Sequence, residues 1–123
     1  MPQSLHSLKR ILQTTGLVLG LLACNSEEKP PADLLEEEKM AQILSEVHMA
    51  EARVTQMQLR SLDSSVIVFE KLQDQIWKKF KVDTALYRKS YAFYTSHPFY
   101  LTRIYERVDT LLAARAKADS TKR

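Results

Sequence analysis

Met40-Ala41-Gln42-Ile43-Leu44-Ser45-Glu46-Val47-His48-Met49-Ala50-Glu51-Ala52-Arg53-Val54-Thr55-Gln56-Met57 is the stretch on which the fold turns. Met40, Ile43, Leu44, Val47, Ala50, Val54 and Met57 recur at spacings of three and four residues. At the pitch of an α-helix those positions share one face, so the spacing predicts a long amphipathic helix ending near Ser61. Upstream, Asp33 with Glu36 three residues later fits a capping box, and Glu36, Glu37 and Glu38 suit the positive end of the helix dipole.

An amphipathic helix needs other apolar faces to pack against, and the downstream sequence supplies three. Ser61-Leu62-Asp63-Ser64-Ser65 offers a break with several capping residues. Residues 66–80 form a second helix with Phe69, Leu72, Ile76 and Phe80 on one face and Trp77 beside it. Its start, Val66-Ile67-Val68-Phe69, is strand-like in composition, but no partner strand is evident, so a helix is expected. Lys81-Val82 is a short link, and Asp83 caps a third helix over about 84–96, with Leu86, Ser90 and Phe93 in line. Pro98 ends it and fits the first turn of a fourth helix carrying Leu101, Ile104, Tyr105, Val108, Leu111 and Leu112. The expectation is an all-α, four-helix domain over residues 34–116, followed by a polar tail at 117–123.

The N-terminus is of a different kind. Lys9 and Arg10 precede an apolar run from 11 to 22, interrupted by Gln13-Thr14-Thr15, and Ala23 supplies a small residue at its end. That is the layout of an export signal over residues 1–23. The run falls short of the ~20 apolar residues of a membrane span. Leu21-Leu22-Ala23-Cys24 resembles a bacterial lipobox, and Cys24 is the only cysteine in the chain. The resemblance implies a diacylglyceryl group on the Cys24 sulfur and an acylated new amino terminus. One acyl chain binds a bilayer marginally, whereas two or more anchor stably. The bland alternative is an uncleaved hydrophobic N-terminus with an incidental cysteine. Residues 24–33, with Asn25-Ser26-Glu27-Glu28-Lys29-Pro30-Pro31, read as an extended tether. Ser26-Glu27-Glu28 partly resembles the acidic surface-export signal of Bacteroidota lipoproteins.

Removing the signal changes the composition argument. The 123-residue chain loses 23 residues, and with them Lys9, Arg10 and no acid, so 18 basic against 15 acidic becomes 16 against 15. The basic balance of the whole chain is therefore no argument for a nucleic-acid partner, which needs a clustered basic face. Both glycines, Gly16 and Gly20, also lie in the signal. Phosphate-cradling Gly loops and tight Gly hairpins are thereby excluded from the mature chain. With Cys24 acylated, no thiol remains for a disulfide, a metal or nucleophilic catalysis. Nothing in the sequence points to a cofactor or to a catalytic residue.

Glu38-Lys39-Met40, Ile43-Leu44 and His48-Met49-Ala50-Glu51-Ala52 open a spaced pattern that Tyr91-Ala92-Phe93-Tyr94, Pro98 and Ile104-Tyr105 close. This pattern resembles an uncharacterised family of small Bacteroidota lipoproteins, a domain of unknown function (number four-two-nine-six), across roughly residues 31–112. The resemblance implies a helical fold and an envelope location, and no activity.

Glu51 is the most unusual polar residue. On a helical wheel it falls between Leu44 and Val47, so its carboxylate is expected to be at least partly buried. Such a group finds a partner or takes up a proton. It either binds a ligand or pairs structurally with an Arg or with the tyrosines of the third helix. His48 and Glu51 form H-x-x-E on one turn, but bundle metal sites need more ligands than this single pair, so no metal is expected. His97, before Pro98, reads as a turn residue. The ten aromatic residues all lie between Phe69 and Tyr105, with Tyr87, Tyr91 and Tyr94 in a narrow arc. They either complete the core or form a surface for peptide or glycan.

The reading is a lipid-anchored envelope protein, placed in the outer membrane with its facing side open, acting as a binding or assembly module with a protein partner. The alternative is a small-ligand module for peptide or glycan, using Glu51, His48, Tyr91 and Tyr94. A hydrolytic or metal-dependent enzyme ranks last.

Overall fold

A computed structural model describes residues 28–122. The expected signal, the lipobox-like residues 21–24 and the expected tether up to residue 27 lie outside the described residues. Four helices make the domain: α1 (Glu37–Gln56), α2 (Leu62–Phe80), α3 (Thr84–Thr95) and α4 (Pro98–Ser120). There is no strand among the described residues, and Val66-Ile67-Val68-Phe69 is helical. The fold is all-α, as the periodicity predicts. No helix among the described residues is long and apolar enough to cross a membrane.

Helix α1 is the hub and packs against each of the other three. Met40, Ala41, Ile43, Leu44, Val47 and Ala50 are buried along it, and Ile76 of α2, Tyr94 of α3 and Tyr100, Ile104 and Val108 of α4 close over them. Val82, in the link after α2, joins the same core. Three arginines of α4 meet three acids of α1 in matching chain order, Arg103 with Glu37, Arg107 with Glu38 and Arg115 with Glu46.

The entry to α1 departs from the capping-box expectation. The helix begins at Glu37, after Glu36 in extended conformation with no side-chain cap. Asp33 instead pairs with Lys89 of α3. The reason is tertiary. Leu35 is buried, its N–H donates to Ser90 Oγ at 2.9 Å and its carbonyl accepts from the Tyr94 hydroxyl at 2.6 Å. Backbone groups committed to α3 cannot also start a helix. Leu35 is thus the first buried residue among the described ones.

The other boundaries follow from local chemistry. Helix α1 ends at Gln56 rather than near Ser61, with Gln58 in the left-handed region (φ 47°) reversing the chain. Ser61 caps α2, its Oγ accepting from the Ser64 N–H at 3.1 Å, so α2 starts four residues before Val66. At the far end of α2, Lys81 takes φ 51°, its N–H donates to the Lys78 carbonyl, and the Val82 N–H donates to Trp77. This pair of bonds is a Schellman motif, with buried Val82 as its apolar contact. Glycine usually fills such left-handed positions, and here Lys81 does so at a cost in backbone energy. Asp83 caps α3 as expected, its Oδ1 accepting from Ala85 at 2.7 Å. Pro98 occupies the first turn of α4. That helix continues to Ser120, past the start of the expected polar tail at 117. Ala113, Ala114, Ala116 and Ala118 favour continuation even where no core remains to be covered.

Candidate functional site

Glu51 is exposed, with its side chain 54% accessible. The expectation of burial fails, although its position on the wheel is correctly placed. Coverage of the α1 face runs out before that position. Met40 to Ala50 are closed in by the neighbouring helices, whereas beyond Ala50 the residues flanking the face are Val66 and Phe69 of α2, along an open groove. The partner of Glu51 is His48, whose Nδ1 donates to Oε2 at 3.1 Å within one helical turn.

His48 begins an aromatic run. Its ring lies 6.1 Å from that of Tyr105. Tyr91 stacks on Tyr87 at 5.9 Å, and Tyr87 packs on Trp77 at 4.7 Å. Helices α1, α2, α3 and α4 each contribute to this shelf, which ends at the Glu51 carboxylate. Burial, reinforced by Tyr91, Tyr105 and Glu51, pushes the Tyr87 phenol up to about 12. Burial, then the neighbouring Tyr91, raises Tyr105 as well. These phenols stay protonated at neutral pH, so they can donate hydrogen bonds but cannot serve as bases.

Tyr94 does not belong to this shelf. It is 1% exposed, and its hydroxyl is spent on the Leu35 carbonyl. Tyr91 is exposed at the rim and Tyr94 completes the core, so the two halves of the tyrosine expectation separate. His97 is a turn residue, its Nδ1 donating to the Phe93 carbonyl at 2.7 Å as α3 ends. Among the described residues, no group of three or more potential ligand side chains gathers around His48 and Glu51 or elsewhere.

Two further features were not legible from motifs. The first is the tip of the α1–α2 hairpin, where Met57, Val66, Ile67 (65%) and Leu62 (79%) are exposed. A shallow groove of about 280 Å³ runs from this tip to Glu51, between Val54 and Phe69. The tip lies at the far end of α1 from the docked Leu35, and 20 helical residues span ~30 Å. The second is a cleft of about 410 Å³ between α1, α2 and the end of α4. Its charged groups, Glu46, Arg53, Lys79, Arg115 and Asp119, come from three helices and have no common sequence spacing. The one available signal was Glu46, Met49 and Arg53, at helical intervals on a flank of α1.

A family model described as Domain of unknown function (DUF4296) matches residues 31–118. No curated protein and no solved structure matches the chain. The matched span opens four residues before the buried Leu35 and closes in the last turn of α4.

Proposed function

The chain belongs to the family of the domain of unknown function DUF4296, and from that footing we propose that it is a lipid-anchored assembly module of the cell envelope, binding a protein partner through the α1–α2 hairpin tip. The anchor rests on the sequence, on the signal layout of residues 1–23 and on Cys24 at its end. The binding role rests chiefly on one observation: Leu62, Ile67, Val66 and Met57 are open to solvent at the end of α1 remote from the tether. Apolar groups clustered on a surface mark contact sites. With acyl chains holding the tether end at the bilayer, a remote tip reaches a protein more readily than lipid. The proposed location is the outer membrane.

The alternative of a peptide or glycan site built from Glu51, His48, Tyr91 and Tyr94 has weaker support. Tyr94 is consumed in the core, and Glu51 lacks the burial that would strengthen its contacts. A catalytic role ranks below both, since nothing in the sequence points to a catalytic residue.

Two measurements test the proposal. Cys24→Ser should abolish palmitate labelling and move the protein out of the detergent phase, and equal labelling of wild type and variant would overturn the anchor. Affinity capture from native envelopes through a C-terminal tag should recover a partner with the wild type and lose it with the Leu62→Lys/Ile67→Lys variant. Both residues are solvent-exposed, so that variant keeps its helical circular dichroism. Undiminished capture with it would remove the tip from the reading.

A further inference from the structure

The cleft between α1, α2 and the end of α4 lies on the flank of α1 away from Glu51. Met49, which lines it, is two residues and so about 200° of helical rotation from Glu51. Its volume of about 410 Å³ falls in the range of small-molecule sites. Its lining is mixed, and Met49 and Ala50 of α1 with Leu72 and Ile76 of α2 are the apolar part of it, here called the floor.

The charges around that floor do not cancel. Glu46 Oε1 accepts from Arg115 Nη2 at 2.6 Å and from Lys79 Nζ at 2.9 Å. One carboxylate thus serves two cations. The third cation, Arg53, makes no ion pair among the described residues, while Asp119 stands across the cleft near Arg115. Three cations against two carboxylates leave one positive charge beside an apolar floor. Burial of the apolar body of a ligand there would strengthen any contact its charge made with the guanidinium groups.

We infer that this cleft is a binding site for a small apolar monocarboxylate, with its carboxylate held by Arg53 and Arg115 and its apolar body on Leu72 and Ile76. A singly charged anion completes neutrality, a dianion overshoots it, and a cation meets repulsion. The planar guanidinium fork matches a carboxylate in two parallel hydrogen bonds. The inference is independent of the hairpin tip and of the anchor.

The test uses the full chain in a mild detergent, with detergent alone correcting for partitioning, so that it does not depend on the anchor. Titration calorimetry compares 3-phenylpropionate, 3-phenylpropanol and 3-phenylpropylamine, which share a body and differ in charge. The expected result is saturable binding of the carboxylate, at least tenfold weaker binding of the alcohol, and none of the amine. Arg53→Gln should weaken the carboxylate about tenfold, Asp119→Asn should strengthen it, and Glu51→Gln should leave it unchanged. Both Arg53 and Asp119 are exposed, so neither variant threatens folding, which circular dichroism checks. The site is overturned by the absence of saturable binding at millimolar carboxylate, by equal binding of the amine, or by an Arg53→Gln variant that binds as the wild type does. A partner captured by the hairpin tip would stand whatever this titration returns.

Discussion

The Tyr94 hydroxyl donates to the Leu35 carbonyl at 2.6 Å, across 59 residues of chain, and Ser90 Oγ accepts the Leu35 N–H at 2.9 Å one helical turn away. Both bonds are buried. Together they tie the segment leading into α1 to α3 at a fixed point. Burial raises the Tyr94 phenol above its ordinary value, so it remains a donor over the physiological range.

Tyr94→Phe keeps the ring and removes the donor, leaving a buried carbonyl unpaired. The expected loss is about 1–3 kcal/mol of unfolding free energy. Ser90→Ala should cost a similar amount, because it leaves the Leu35 N–H without a partner. The double variant should lose less than the sum, since both bonds hold one residue. Urea unfolding of the three variants measures this, and full additivity would show that the bonds act separately.

Ile104→Asp should unfold the domain. Ile104 is buried on the face α4 turns to α1, and an unpaired carboxylate there costs several kcal/mol. Ile104→Ala isolates the packing part and should cost about 2–5 kcal/mol. Far-ultraviolet circular dichroism with denaturant titration distinguishes the two, and a folded, cooperative Ile104→Asp variant would contradict the assigned core.

Acid should weaken the domain. The Arg115 hydrogen bond, with Lys79 adding to it against partial burial, holds the Glu46 carboxyl below the usual carboxylate range. A carboxyl depressed in the folded state contributes stability above its unfolded value, and that contribution is lost as pH falls through the folded one. Asp33, beside Lys89, and Glu38, beside Arg107, are shifted in the same direction. Melting temperature should therefore fall on acidification below about pH 4.5. Glu46→Gln should cost about 1 kcal/mol near neutral pH in low salt and flatten the acid limb. An unchanged pH profile in that variant would remove Glu46 from the account.

Glu51→Gln and Glu51→Leu should each change stability by no more than about 0.5 kcal/mol, the usual range for exposed positions. A buried carboxylate would have given a large gain with Leu. Thermal melts of the two variants decide, and a gain of several degrees with Leu would place Glu51 in a drier setting than its exposure implies.

Lys81→Gly should raise stability by up to about 1 kcal/mol, because φ 51° suits glycine and strains lysine. Lys71→Gly, ten residues earlier, exposed and inside the helix, should lower it by roughly 0.5–1 kcal/mol. Denaturant titration of the pair checks the sign, and a loss with Lys81→Gly would refute the strain argument.

The sequence by itself determined the class, the number of helices and most of the core. Apolar residues at intervals of three and four can be buried together only on a helix, so the roles of Met40 to Ala50, of Ile76 and of Ile104 and Val108 were legible without coordinates. Asp83 and Pro98 marked their helix starts for the same local reason. Tertiary structure alone decided what depends on where neighbouring helices stop. Glu51 sits in the centre of its apolar arc and is nevertheless exposed, because a wheel gives direction and not the length of the covering element. Asp33 and Glu36 spelled a capping box, but Leu35 had its backbone bonds claimed by Ser90 and Tyr94, more than fifty residues away. The cleft of Arg53, Lys79 and Arg115 exists only where three helices diverge, and no pattern along one chain segment records that distance.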